Sequence, residues 1–172
     1  MREGKLDMRM DRNQALDAST VVNTYSEREI ADILFQFGEE RRSRPIARSI
    51  VQSRPLVMTT DLVRAVEKVL GRPRFGQIHP ATRTFQALRI FVNDELRSLE
   101  SFIDGAMTVV RPGGRVVVIS FHSLEDRIVK NKFRTPVTAG KVLTKKVVTA
   151  SEEERRRNPR ARSAKLRAWE RS

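Results

Sequence analysis

The stretch from His79 to Arg127 limits most strongly what this chain can fold into. From Phe85 the apolar side chains fall at Leu88, Val92, Leu96, Leu99, Ile103, Ala106 and Val110, in steps of three or four. That spacing marks one face of a helix. It predicts a single long helix of roughly 28 residues, on the order of 42 Å at about 1.5 Å per residue. Arg111-Pro112-Gly113-Gly114 then stops it, because proline lacks an amide donor and glycine tolerates positive φ. Val116, Val117, Val118 and Ile119 follow without alternation. Such a run predicts a strand buried on both faces, as in a parallel sheet covered by helices. The ligand crevice of such a sheet lies beyond the carboxyl ends of its strands, where Ser120-Phe121-His122-Ser123 would fall.

The 172 residues suit one domain, or one with a small insert, and 39% apolar content is enough for a core. There is no cysteine, which excludes a disulfide framework and thiolate metal sites and fits a reducing compartment. No apolar run approaches the ~20 residues of a membrane span. The expected location is the cytoplasm. The net charge of +13 is uneven: residues 141–172 hold 11 Lys and Arg against 4 Asp and Glu. An excess of this size favours a polyanionic partner, and nucleic acid above others. The competing account is a basic but solvated surface.

Before the long helix, three shorter ones are predicted. Ser26 and Glu29 form a capping box, with Ile30, Ile33, Leu34 and Phe37 buried and Gly38 as the stop. A second helix begins near Pro45 and buries Ile46, Ala47, Ile50 and Val51. A third, capped by Thr60 with Asp61 in its first turn, buries Leu62, Ala65, Val66, Val69 and Leu70 and ends at Gly71. None is long enough to be stable alone, so together they read as a helical subdomain. Residues 7–11 read as a short edge strand or a loop. Arg72-Pro73-Arg74-Phe75-Gly76 is a basic loop whose aromatic can stack on a base, or a plain connector.

After the strand, Leu124 to Phe133 reads as a helix and Val142 to Val148 as a strand. Ser151 and Glu154 are a second capping pair, Asn158-Pro159 a turn, and Ser163 to Trp169 a last strand pairing back onto 142–148. If the basic block Arg160 to Arg167 is extended, alternation would put Arg160 and Arg162 on one face of a strand, and Lys165 and Arg167 on the other.

Several segments together resemble one family: Leu6-Asp7-Met8-Arg9-Met10-Asp11, Asn23-Thr24-Tyr25-Ser26-Glu27, His79-Pro80-Ala81-Thr82-Arg83-Thr84-Phe85-Gln86-Ala87, Val92-Asn93-Asp94-Glu95-Leu96, Ser120-Phe121-His122-Ser123-Leu124-Glu125-Asp126-Arg127, and Asn158-Pro159-Arg160-Ala161-Arg162-Ser163-Ala164-Lys165-Leu166-Arg167. In this order they resemble the bacterial 16S ribosomal RNA cytosine-N4 methyltransferases, the MraW family. The resemblance covers nearly the whole chain. It implies an α/β fold, a partial Rossmann-like methyltransferase sheet with a helical insert subdomain, mostly helical by content. Residues 1–25 would be a connection, 26–78 the insert for substrate recognition, and 79–172 the C-terminal part of the methyltransferase domain. The implied reaction moves the methyl of S-adenosylmethionine onto N4 of a cytidine in small-subunit ribosomal RNA. The implied partners are 16S ribosomal RNA and either a second copy or a complementary N-terminal half.

One departure is plain. The family begins upstream with a strand, a glycine-rich cofactor loop and an acidic residue for the ribose, and no G-x-G-x-x-G occurs here. A fragment, half of a split enzyme, a truncated form, or a non-catalytic RNA-binding remnant all fit. In each case this chain by itself is expected to bind little S-adenosylmethionine.

Cytosine N4 is a poor nucleophile because its lone pair conjugates with the ring, so transfer needs alignment and a proton acceptor. Ser120, His122 and Ser123 are the catalytic candidates. Ser120 would accept from the amine. His122 would take a proton, contact phosphate, or hold its loop by a hydrogen bond. Asp7, Arg9 and Asp11 would line the same crevice or form a surface cluster. Arg83, Gln86, Arg89 and Asn93 lie on neighbouring turns, where the arginines would hold phosphate and Asn93 a base or a loop. Arg160, Arg162 and Lys165 complete the RNA-binding set.

Overall fold

The computed structural model describes residues 3–73 and 75–172. Met1, Arg2 and Arg74 of the basic loop lie outside the described residues. The chain divides into two compact units, Met1–Glu95 and Leu96–Ser172. The helical unit thus takes in the first 25 residues and the start of the expected long helix.

The helical unit holds α1 (Ala18–Thr24), α2 (Glu27–Gly38), α3 (Ser43–Gln52), α4 (Thr59–Leu70) and α5 (Thr82–Val92). The Ser26–Glu29 capping box forms in both directions, which satisfies two otherwise orphan amides at the start of α2. Glu39, at φ 48°, and not Gly38, makes the left-handed exit. Gly38 ends the helix for another reason: a Cβ there would sit 2.8 Å from the Arg83 carbonyl oxygen of α5. The start of α4 is not capped by Thr60. Asp61 reaches back to the amides of Met58 and Val57 at 2.8 and 3.1 Å. The expected apolar faces converge, with Ile30, Leu34, Ile46, Ile50, Leu62 and Leu88 fully buried in one core. Residues 7–11 form a loop and no strand. A single bridge from Lys5 to Met58 ties the segment down, and Leu6 enters the core.

The long helix is two helices. α5 ends at Val92, and α6 (Glu95–Val109) begins past Asp94, which is left-handed at φ 47°. Asn93 causes the break locally. Its side-chain amide donates to the Arg89 and Met8 carbonyls, and its oxygen accepts from the Met10 amide at 2.7 Å. Short polar side chains that bond nearby backbone compete with helix continuation.

The sheet unit continues with β1 (Arg115–Ser120), α7 (Ser123–Arg134), β2 (Gly140–Val142), β3 (Val148–Thr149), α8 (Glu152–Arg157), a 3-10 turn (Pro159–Ser163) and β4 (Lys165–Arg171). β4 pairs antiparallel with β1, β2 and β3, with Val116 opposite Trp169 and Ser120 opposite Lys165. Residues 142–148 are therefore not one strand: Val142 ends β2, Val148 starts β3, the residues between are irregular, and the longest partner of β4 is β1. Nor is β1 covered on both faces. Val116 and Ser120 are buried, whereas Val117 and Ile119 are each 53% exposed. Ile103 and Met107 of α6 and Val129 and Phe133 of α7 pack with Val116 and Trp169 on one face only. Gly140 permits this close approach, since a Cβ there would lie 2.0 Å from the Trp169 ring.

Candidate functional site

β1 delivers Ser120 to the start of α7, where the turn Phe121-His122 reverses the chain. Ser120 is 3% exposed, with its hydroxyl 3.4 Å from the Lys165 carbonyl of β4. His122 is the N-cap of α7. Its Nδ1 accepts from the Glu125 amide at 3.3 Å, so the ring proton belongs on Nε2. Nε2 is buried 3.3 Å from Glu125 Oε1, within ion-pairing distance but out of line for a hydrogen bond. Glu125 answers with its other oxygen, accepting from the amides of Phe121 and His122 at 2.8 and 3.3 Å. Burial pushes the Glu125 carboxyl up, but His122 and these amides outweigh it and hold the group below its ordinary range. The same contacts tether the His122 ring, so of the expected roles the geometry matches the one that holds the loop.

One helical step on, Asp126 grips β4. Arg167 Nε and Nη2 reach its two oxygens at 2.7 and 3.2 Å, and Lys165 Nζ lies at 3.7 Å. Burial raises the Asp126 carboxyl, while Arg167 and then Lys165 bring it below its usual value. Lys165 and Arg167 thus share one face of β4 and one carboxylate. Arg160 and Arg162 are not on the strand; both are exposed on the 3-10 turn. Pro159 and the Asn158 side chain, which accepts from the Arg160 amide, start that turn in place of an extended segment.

In the helical unit, Asn93 joins the expected residues of the N-terminal segment through Met8 and Met10. Asp7 and Arg9 there bind each other, with Arg9 Nε 2.7 Å from Asp7 Oδ1, and Arg9 also donates to the Gln14 carbonyl. Hydrogen bonds from Arg9 lower the Asp7 carboxyl to about 2. Asp11 is exposed and accepts from the Asn13 amide. Arg89 is not a free phosphate ligand, because Glu95 holds its fork at 2.7 and 2.9 Å. Arg83 is exposed and touches the Glu39 carbonyl at 3.4 Å, and Gln86 is half-buried. Sequence reasoning passed over Glu125 and Asp126 as anchors, although their place in the first turn of a helix after a strand was visible. It also passed over Phe121, 55% exposed at the strand end.

Two places that could seat an anionic group are already taken among the described residues. The amides at the start of α7, the natural seat for an anionic or carboxylate group, are occupied by Glu125 and His122. The Gly113-Gly114 pair is closed against β4, by Gly113 N–H to Arg171 O at 2.9 Å and Arg171 N–H to Gly114 O at 3.0 Å. Among the described residues there is no cluster of three metal-ligating groups and no helix long and apolar enough to cross a membrane.

The chain belongs to the MraW methylase family, whose family model matches residues 1–172. It is 58% identical over 166 residues to the ribosomal RNA small subunit methyltransferase H of Nostoc punctiforme, covering 96% of this chain and 55% of the relative. The same-named protein of Synechocystis is 59% identical over 163 residues, covering 94% and 53%. That of Acidobacterium capsulatum is 55% identical over 170 residues, covering 98% and 57%. The chain spans a little over half the length of the curated relatives it matches.

Proposed function

We propose that this chain is the RNA-facing and C-terminal portion of an S-adenosylmethionine-dependent methyltransferase that modifies N4 of a cytidine in small-subunit ribosomal RNA, in the cytoplasm. The observation that carries the reading is the match of the whole chain to the family, with relatives above half identity named for that RNA. The basic surface agrees with it: Arg83, Arg160 and Arg162 stand exposed toward solvent. S-adenosylmethionine would supply the methyl cation equivalent. By the family pattern a glycine-rich loop, a motif this sequence lacks, would hold it.

In this reading the helical unit recognises the RNA fold and the end of β1 presents the target base. Phe121 offers an exposed ring on which a cytosine can stack. Ser120 and Ser123 bracket the turn and are the candidate hydroxyls there, Ser120 buried and held by the Lys165 carbonyl. His122 is a positioning residue that, through Glu125, fixes the path of the turn. Asp7, Arg9 and Asn93 form one braced cluster in the helical unit and shape the approach there. Gln86, Arg89 and Lys165 are secondary contributors, the last two partly neutralised by their carboxylate partners.

The test combines the full chain with radiolabelled S-adenosylmethionine and unmethylated small subunits, with and without a polypeptide carrying the N-terminal portion of a relative. N4-methylcytidine, identified by mass spectrometry only in the combined reaction, is the expected result. RNA binding without N4-methylcytidine in either arm would favour the non-catalytic remnant. The internal pairing of His122, Asp7 and Arg9 gives that second reading its footing.

A further inference from the structure

The described hollows differ in charge. One is lined by Glu100 and Asp104 beside Arg127 and Lys132, another by Glu27 and Asp32 beside Arg28 and Arg44. A third, of about 150 Å³, lies in the sheet unit between the C-terminal half of α7 and the chain following β2. Its cations are Lys130, Arg134, Lys145 and Arg167, and no carboxylate lines it. Elsewhere in the same unit lysines and arginines find acids: Lys132 meets Asp104 at 2.6 Å, and Lys141 and Arg115 both meet Glu170 at 2.8 Å. Among the described residues Arg134 and Lys145 form no ion pair, and Lys130 feels Asp126 only through space. Asp126, already shared by Arg167 and Lys165, is the carboxylate that acts on this group of cations.

Two of the donors are held in place. Arg167 is nine-tenths buried, and Asp126 takes its Nε and Nη2, which leaves the Nη1 donors for another acceptor. Thr144 Oγ1 accepts from the Ala168 amide at 2.9 Å, so its hydroxyl proton is available to donate. Phe133 and Val142 supply apolar walls, which reduce water competition and strengthen charge-assisted hydrogen bonds. Arg134 and Lys145 are exposed at the rim, and Lys146 extends the same charge.

We infer that this hollow is an anion site that seats a phosphodiester of an RNA backbone. This rests on the RNA reading above and names a place for it that the strand-end site does not include. An open rim of cations suits a polymer whose neighbouring phosphates stay engaged, where a lone ion would exchange with water. Backbone contacts of this kind fix register and carry no base preference.

The test is fluorescence anisotropy of a labelled oligocytidylate with the full chain across a salt series. The double substitution Lys130→Gln and Lys145→Gln should weaken binding about tenfold at low salt and flatten the slope of log affinity against log salt by roughly 0.7. Arg156→Gln with Arg157→Gln removes equal charge from α8, where both pair with glutamates, and should change affinity less than about twofold. Lys130→Arg with Lys145→Arg should restore the slope, and unchanged thermal unfolding shows that the glutamine pair still folds. Equal losses from both glutamine pairs, or no RNA binding by the parent chain, would overturn the site. So would unchanged RNA affinity with lost line-broadening of inorganic phosphate in phosphorus NMR, which would mark a free-phosphate site. Formation of N4-methylcytidine is scored separately, so loss of the methylation reading and loss of this site give different patterns.

Discussion

The helical unit buries its apolar faces within itself, while the sheet unit leaves one of its faces in water. In the first, α1 to α5 close around Ile30, Leu34, Ile46, Leu62 and Leu88. In the second, a smaller core of Ile103, Met107, Val116, Val129, Phe133 and Trp169 lies on one side of the sheet. Val117, Ile119 and Phe121 project from the other side, each more than half exposed. Apolar burial therefore dominates the first unit. The second leans more on a few specific polar ties, Asp126 to Arg167 above all.

That contrast can be broken or sharpened by substitution. The largest effect is expected from Asp126→Ala, which strands the nearly buried Arg167 guanidinium and should cost the sheet unit about 3–5 kcal/mol. Trp169, the single tryptophan, reports on this unit, so its fluorescence transition in urea should move while the helical circular dichroism of the other unit persists. A shared transition would show the two units to be energetically inseparable. Leu34→Ala should do the reverse, with about 3 kcal/mol lost from the helical transition and little change at Trp169.

Ser26→Ala removes the reciprocal cap of α2 and should cost about 1 kcal/mol in the same helical transition. Ile119→Thr tests the open face. With the side chain already in solvent, the change should stay within about 0.5 kcal/mol. A larger loss would mean that the face is covered in solution. The smallest effect concerns pH. Asp7 is held at about 2 against an ordinary 3.8, so its contribution is present above pH 3.8 and fades as the pH falls through about 2. Unfolding midpoints of the parent chain and Asp7→Asn should differ above that window and converge below it.

Local chemistry was readable in part, since Thr60 does not cap α4 and Glu39, not Gly38, makes the exit of α2. The Ser26–Glu29 box, the Gly71 stop, the Ser151 cap of α8 and the helix after Ser120 all follow from side chains bonding their own turn. The core positions of α2, α3 and α4 were readable too, because burial there repeats with the helix period. The candidate site was legible as a strand end and a cluster of residue types. Its wiring was not, because the carboxylates that tie up Arg89, Arg9 and His122 have no marker that separates a structural partner from a functional one.

The sequence by itself determined that an apolar stripe would run from Phe85 to Val110 on helical turns, and that a β-branched strand would follow the glycine pair. Only the tertiary structure decided that the stripe serves two cores, with Leu88 and Val92 in one and Ile103 in the other. The switch rests on Asn93, whose bonds to Met8 and Met10 join residues more than 80 positions apart, and no local pattern encodes a partner at that distance. Likewise β-branched composition specifies a strand but not its neighbours. Pairing with β4 and one-sided cover by α6 and α7 set which of its side chains meet water.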